Sequence, residues 1–286
     1  MELDKTIREN LDGEYLTIHV ENFKEGVEYA AQKKLQQIHL IGGRAKNVIV
    51  DFKELNKLSE TLQDISFIQD IGNVINFESI YNLKEMRKIY IHDKQKFTFD
   101  VSRFTKLQHL GGDYWNGLIN LDKAYSLTSL VICKYPFPNL VQFSALRNLE
   151  VLHIYGSKIQ NLDGVEKLSI RELSLARNNK LDDIHKINEV SSLENLEIEC
   201  CKKLLDFSFL KDNSYIEDLF IDKLDSIDFV ESMPNLKKIN FWNCKDGNMP
   251  PLLKSQSLED VNFYPNKRHY THTLKEIEEI RQKKDK

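Results

Sequence analysis

The stretch LENLEIECC, residues 193–201, places aliphatic side chains at its first, fourth and sixth positions and glutamates in the gaps between them. An isolated amphipathic strand would alternate apolar and polar residues, and an isolated helix would repeat every three or four positions. This stretch mixes the two spacings. A mixed spacing is informative about the fold only if it recurs along the chain.

The pattern L-x-x-L-x-L does recur. Copies begin at Met86, Leu127, Leu149, Ile170, Leu193, Ile216, Leu236 and Leu258, with a degenerate copy (LQHLGG) at Leu107 and further copies at Leu35 and Leu62. From Met86 onwards, successive copies start 20 to 23 residues apart. Steps this even indicate an internal structural repeat.

The repeated unit resembles that of the leucine-rich repeat family, L-x-x-L-x-L-x-x-N/C-x-L. The short period and a second apolar group, as in IQNLDGVEKLS at residues 159–169, are similar to the short bacterial repeats typified by the internalins. One position departs from the consensus. The ninth place carries the expected residue type at Asn178, Cys201 and Cys244, but Lys94, Trp115, Tyr135 and Leu224 occupy it elsewhere. A polar ladder of side chains along this place should therefore be incomplete.

The resemblance implies an α/β leucine-rich repeat solenoid. A curved parallel β-sheet would form the concave face, and irregular, 3-10 or short helical segments would form the convex side. The fourth and sixth residues of each unit would point into a core shared with the neighbouring units, because no unit can bury its apolar face alone. We predict an N-terminal strand-helix-strand cap over residues 1–60, repeats over 61–265, and a C-terminal capping helix and tail over 266–286. A capping box of Thr273 and Glu276 should begin that helix.

Composition restricts the class of protein. Hydrophobic residues make up 41% of the 286 residues, which is enough for a core, and the net charge of −4 gives no argument for nucleic acid. The chain shows no signal-peptide pattern and no apolar run long enough to span a membrane. Four cysteines are too few for a disulfide framework in a chain of this length. We therefore expect a cytoplasmic protein with reduced thiols, of which only Cys133 would be accessible, and no membrane or nucleic-acid partner.

The third, fifth and seventh places of the C-terminal units should face outwards on the concave side, and they carry acids and aromatic rings. The candidate partner-binding residues are Tyr155, Glu172, Glu197, Glu199, Asp218, Phe220, Asp222, Trp242, Asp260 and Tyr264. One interpretation is a solvated acidic face that maintains solubility. The other is a negatively charged groove, rimmed by aromatic anchors, that binds a basic protein.

No motif for nucleotide, zinc or nucleophile chemistry is present, so no metal, cofactor or catalytic residue is expected. What the resemblance implies is recognition, because the family consists mainly of binding scaffolds. The preferred hypothesis is a non-enzymatic bacterial module, such as an immunity protein that neutralises a basic toxin domain. The alternatives are a hydrolase that uses a polar cluster of His92, His109 and Asp113, and a general scaffold or effector adaptor.

Overall fold

The computed structural model describes residues 2–43 and 48–284 and divides into two compact units, residues 1–133 and 134–286. Each unit is built on one sheet of repeat strands. The end of the tail predicted within residues 266–286 lies outside the described residues.

The N-terminal unit begins with an antiparallel hairpin and continues as a parallel sheet. Its strands are β1 (Ile7–Asn10), β2 (Gly13–His19), β3 (Gln37–Ile41), β4 (Ile49–Asp51), β5 (Asp64–Phe67), β6 (Asn73–Ile75), β7 (Lys88–Ile91), β8 (Phe99–Asp100), β9 (His109–Asp113), β10 (Leu118–Ile119) and β11 (Ser129–Cys133). Helix α1 (Phe23–Gln32) connects β2 to β3. Strands β2, β3, β5, β7, β9 and β11 pair in parallel in that order, while β4 pairs with β6 and β8 with β10.

The C-terminal unit contains strands β12 (Val151–Tyr155), β13 (Glu172–Ala176), β14 (Asn195–Glu199), β15 (Asp218–Leu224), β16 (Lys238–Cys244) and β17 (Asp260–Phe263). Each pairs in parallel with the next. Between the first five strands the chain returns through the 3-10 segments Val165–Lys167, His185–Glu189, Ser208–Leu210 and Asp228–Ser232. Helices α2 (Pro250–Lys254) and α3 (Leu274–Lys284) precede and follow β17.

The repeat pattern explains the sheet. In the unit that begins at Leu193, the side chains of Leu193, Leu196 and Ile198 are at most 2% exposed. Leu196 lies opposite Leu219 of the next strand, so the core continues from one unit to its neighbour. Burying an aliphatic side chain of this size contributes about 1.5–3 kcal/mol. The third, fifth and seventh places lie on the other face of the strands, which we call the open face.

The ninth place is buried in most units, but its polar ladder is short. The Asn178 carboxamide accepts hydrogen bonds from Ser157 N (2.9 Å) and Ser157 Oγ (2.6 Å) and donates to Ile154 O (2.8 Å). Tyr135 and Leu224 fill the same place with rings and methyl groups, at 0% and 1% exposure. The interruption of the ladder expected from the sequence is therefore present.

The eighth place ends several strands with a left-handed residue. Gly156, Arg177 and Cys200 have φ values of 57°, 58° and 54°. This turn directs the Cys200 side chain to solvent while Cys201 is buried. The prediction that only Cys133 would be accessible is therefore wrong, because it treated Cys200 as part of a regular strand.

The C-terminal helix begins as predicted. Glu276 accepts hydrogen bonds from Thr273 N (2.7 Å) and Thr273 Oγ1 (2.9 Å), and Glu276 N donates to Thr273 Oγ1 (3.3 Å). This reciprocal pattern is a capping box. Ile277, in the first turn of α3, is fully buried.

Candidate functional site

The open face of β12 to β17 carries the predicted partner-binding residues. The third-place row contains Glu172, Asn195, Asp218, Lys238 and Asp260, each opposite the next. The fifth-place row contains His153, Ser174, Glu197, Phe220, Asn240 and Asn262. Neighbouring strands in a sheet lie about 4.8 Å apart. The parallel register therefore gathers residues that are some 20 positions apart in sequence onto one surface.

A hydrogen-bonded chain fixes one end of this face. His153 Nε2 lies 2.6 Å from Glu172 Oε1, and His153 Nδ1 lies 3.1 Å from the Tyr155 hydroxyl. The tautomer with its proton on Nε2 satisfies both contacts, since Nε2 then donates and Nδ1 accepts. Ser174 Oγ donates to Glu197 Oε2 at 2.9 Å and lies 3.4 Å from the Tyr155 hydroxyl. These side chains are held in place before any partner arrives.

The register separates the carboxylates of the third-place row. Asp218 lies between Asn195 and Lys238, and Lys238 Nζ is 3.2 Å from Asp218 Oδ2. Asp260 lies on the other side of Lys238. Like charges directly opposite one another destabilise a sheet, and this order avoids such pairs. At the third, fifth and seventh places of these strands, six carboxylates accompany one lysine, so the face is negatively charged.

Aromatic rings lie beside these acids. Phe220 and Trp242 meet edge to face, with ring centroids 5.2 Å apart. Trp242 is 44% exposed and Tyr264 is 76% exposed. They follow Phe241 and Phe263, which are opposite one another on β16 and β17. We call Glu197, Asp218, Phe220, Trp242, Asp260 and Tyr264 together the acidic-aromatic patch.

Asp222 does not belong to the surface of this patch. The sequence pattern places it outwards at a seventh position, but its side chain is only 5% exposed. In strand β15, which continues to Leu224, Ile221 and Asp222 are buried in succession. Asp222 therefore offers no contact surface. Glu199, by contrast, remains partly exposed at the end of β14.

The alternative cluster in the N-terminal unit is not assembled around one point. His109 begins β9 and Asp113 ends it, which puts their Cα atoms about 13 Å apart at about 3.3 Å per residue. His92 follows the neighbouring strand β7 and stacks edge to face on Tyr90 at 4.8 Å. Burial, and then the charge of Lys88, lower the pKa of His109. Among residues 2–43 and 48–284, no group of three His, Cys, Asp or Glu side chains could hold a metal ion.

The buried cysteines have the properties of structural thiols. Burial raises the pKa of Cys201 to about 11 and that of Cys244 to about 12, so both stay protonated at neutral pH. A thiol in that state is a poor nucleophile. Cys201 Sγ instead contacts Leu175 O at 3.5 Å.

The sequence pattern did not single out a second polar row, on the open face of the N-terminal unit. Tyr15, Gln37, Asp64 and Lys88 lie opposite one another in order across β2, β3, β5 and β7. Burial raises the pKa of Asp64 to about 6, although the charge of Lys88 acts in the opposite direction. In the sequence, the signal that relates these residues is their shared third place in successive strands.

Asp64→Asn should stabilise the protein at neutral pH. The pKa of Asp64 is raised on folding from 3.8 to about 6, so folding favours the protonated acid. The stability from this group is complete below about pH 4 and is lost as pH rises through about 6. We expect the free energy of unfolding at pH 7.5 to rise by about 1–2 kcal/mol in the variant, after allowance for partial exposure, and the gain to vanish near pH 4. Urea unfolding at both pH values measures it. An equal gain in the free energy of unfolding at both pH values would contradict the explanation that it comes from the raised pKa of Asp64.

Comparisons with known proteins agree on the fold. The structure of TLR13 in complex with ssRNA13 is 16% identical in sequence and covers 87% of this chain and 38% of its own, with a TM-score of 0.55. An internalin (inlF) from Listeria monocytogenes is 14% identical over 83% of this chain and 76% of its own, with a TM-score of 0.47. Internalin C2 (inlC2) from the same organism is 18% identical over 85% and 92%, with a TM-score of 0.38. At these identities the likeness concerns the fold alone, and it rests on the first comparison.

No family model matches the sequence, and no curated protein matches it either. In the part of the chain that the structure describes, none of the helices has the length and apolar character needed to cross a bilayer.

Proposed function

This chain has the leucine-rich repeat fold, and from that premise we propose that it is a non-enzymatic module that binds a protein with a basic surface. The acidic-aromatic patch would be the contact surface. The observation that carries the proposal is the exposure of Trp242 and Tyr264, at 44% and 76%, beside carboxylates on a preformed sheet. Tryptophan and tyrosine are the residues that most often anchor protein interfaces.

Charge supports the basic character of the partner. The carboxylates of Glu197, Asp218 and Asp260 lie on the same face as the rings, with Lys238 as the single lysine or arginine at the third, fifth and seventh places of β12 to β17. A negative face attracts a positive one and raises the association rate. The same charges repel phosphates, which favours a protein over a nucleic acid. The fold does not decide between them, because the TLR13 structure is a complex with RNA.

The most specific form of the proposal is a bacterial immunity or inhibitor protein that neutralises a basic toxin domain in the cytoplasm. A toxin that acts on nucleic acid carries a basic active surface, and an acidic face with aromatic anchors is complementary to it. Cys200, Cys201 and Cys244 form no disulfide, which supports a reducing compartment. No catalytic role, cofactor or metal enters this proposal.

The decisive experiment captures the partner from extracts of the source cells on immobilised protein. The wild type is compared with the double variant Glu197→Lys and Asp218→Lys. The control, Glu189→Lys with Glu231→Lys, makes the same change of charge on two 3-10 segments, where each acid pairs only with a nearby lysine. Surface pairs of this kind contribute at most about 1 kcal/mol, so the control should fold.

We expect the first double variant to bind the captured protein about tenfold or more weakly at low salt, and the control to bind as the wild type does. The loss should shrink at high salt because exposed charges are screened. Equal recovery on both double variants would overturn the assignment of the surface. Recovery that disappears after ribonuclease treatment would assign an RNA ligand and overturn the proposed partner class.

A further inference from the structure

A groove of about 350 Å³ lies at the N-terminal ends of the strands in the N-terminal unit. Its walls include Gln37, Asp64 and Lys88 from the third-place row, together with Lys34 and Arg87. Small-molecule sites commonly have volumes of about 300–1,000 Å³. The groove is large enough for a ligand the size of a single amino acid.

One wall of the groove holds a buried amide with an unmet hydrogen bond. Gln37 is 5% exposed, and its Oε1 has no hydrogen-bond partner among the described residues. Its Nε2 lies 3.1 Å from His39 Nε2. The amide oxygen is therefore unpaired, and a buried polar atom in that state is unfavourable.

Asp64 lies directly opposite Gln37 in the parallel ladder. Its carboxyl group accepts no hydrogen bond within the described parts of the chain, and burial raises its pKa to about 6. At neutral pH a partly buried carboxylate therefore stands beside an unpaired amide oxygen. Both are acceptors, and a cationic group with several N–H donors would satisfy both.

The groove also has a cationic side. Lys88 is paired with Asp12 of the β1–β2 turn, whereas Lys34 and Arg87 form no ion pair within residues 2–43 and 48–284. A ligand with only a positive charge would form no ion pair with these two cations. A ligand that carries both charges a short distance apart matches both walls of the groove.

We propose that this groove binds a free α-amino acid, with its ammonium between Gln37 and Asp64 and its carboxylate towards Lys34 and Arg87. Ammonium to carboxylate and guanidinium to carboxylate are both charge-assisted hydrogen bonds, the strongest class in proteins. The inference does not depend on the acidic-aromatic patch. An amino-acid site would make this module responsive to a metabolite as well as to a protein.

The test uses the full-length protein and the standard free amino acids, first in thermal unfolding scans and then by isothermal titration calorimetry. We expect at least one amino acid to raise the unfolding temperature. Its N-acetyl derivative, which lacks the ammonium, and its methyl ester, which lacks the carboxylate, should each bind about tenfold or more weakly. Binding should strengthen as pH rises through about 6, where Asp64 ionises.

Two variants connect the binding to the groove. Asp64→Asn and Gln37→Leu should each weaken it about tenfold or more, and the control Asp163→Asn, an exposed acid of the other unit, should not. Because Asp64→Asn is expected to raise stability at neutral pH, its loss of binding cannot be ascribed to unfolding. The proposal is overturned if no amino acid shifts the unfolding temperature, if either derivative binds as well as the parent, or if Asp64→Asn binds normally.

Discussion

Trp242→Ala should weaken binding of the basic partner by about 30-fold or more, which corresponds to about 2 kcal/mol. The side chain is 44% exposed and touches the Phe220 ring edge to face, so a partner can cover it on an already ordered support. Its removal leaves no internal cavity. The free energy of unfolding should therefore fall by no more than about 1.5 kcal/mol, the upper value for one aromatic pair. Calorimetric titration with the captured partner measures the affinity, and urea unfolding measures the stability.

Tyr215→Ala is the matched control for this prediction. Tyr215 is 40% exposed and belongs to the same unit, but it precedes the first place of its repeat and lies outside the patch. Its removal should leave the affinity unchanged. If Tyr215→Ala weakens binding and Trp242→Ala does not, the contact surface lies elsewhere on the unit.

The salt dependence of binding should distinguish the contribution of the Trp242 ring from that of the carboxylates. The loss caused by reversing Glu197 and Asp218 should depend on salt, because both side chains are solvent-exposed to some degree and their charges are screened within about 10 Å at 0.1 M salt. The loss caused by Trp242→Ala should persist at high salt, because it removes apolar contact area. We therefore expect the aromatic ring to contribute more of the affinity and the carboxylates more of the association rate.

The repeat spacing was enough to predict the strands and their buried sides. In LENLEI the first, fourth and sixth residues are buried, and the register continues into the next copy, as the family resemblance implies. The outward places could be assigned for the same reason. Side chains alternate between the two faces of a strand, so a fixed buried set determines the exposed set.

The sequence could not show where the alternation of buried and exposed side chains ends in each strand. Cys200 enters a left-handed turn at φ 54°, while β15 runs on to the ninth place and buries Asp222. Both residues follow the same L-x-x-L-x-L pattern, which does not specify how the chain leaves the strand. Strand β16 also runs on to the ninth place, yet Trp242 at its seventh place stays exposed. Local geometry at the end of a strand depends on contacts with neighbouring units that are some 20 residues away.

The sequence pattern also could not predict the polar pair of Gln37 and Asp64. An outward glutamine or aspartate is ordinary on an exposed sheet, and nothing local indicates that both will be covered. The β1–β2 turn and the segment that follows α1 line the same groove as these two residues. Tertiary contacts of this kind determine which outward residues are solvated and which become a site.

The degenerate copy LQHLGG shows why one repeat departs from the pattern. Its sixth place, where the other copies carry an aliphatic or aromatic side chain, is Gly112 on β9, with φ at 138°. A Cβ atom there would lie 1.9 Å from Ile91 O on the neighbouring strand β7. The buried indole of Trp115 and Gly112 line a void of only about 10 Å³, so little space for a side chain is left unfilled. The backbone at this position therefore requires glycine, which is why this copy lacks the apolar side chain of the others.

Gly112→Ala should lower the free energy of unfolding by about 3 kcal/mol or more. A left-handed backbone alone costs a residue with a Cβ about 1–2 kcal/mol. At Gly112 the carbonyl of a paired strand must also move, and local backbone strain of that kind adds about 1–3 kcal/mol. Gly156→Ala is the control, because φ is 57° there and nothing lies within 4 Å of the added Cβ, so only the conformational cost applies. Urea unfolding of both variants separates the two costs. Equal destabilisation would show that β7 and β9 can separate at this point, and that the close approach of Ile91 does not select glycine.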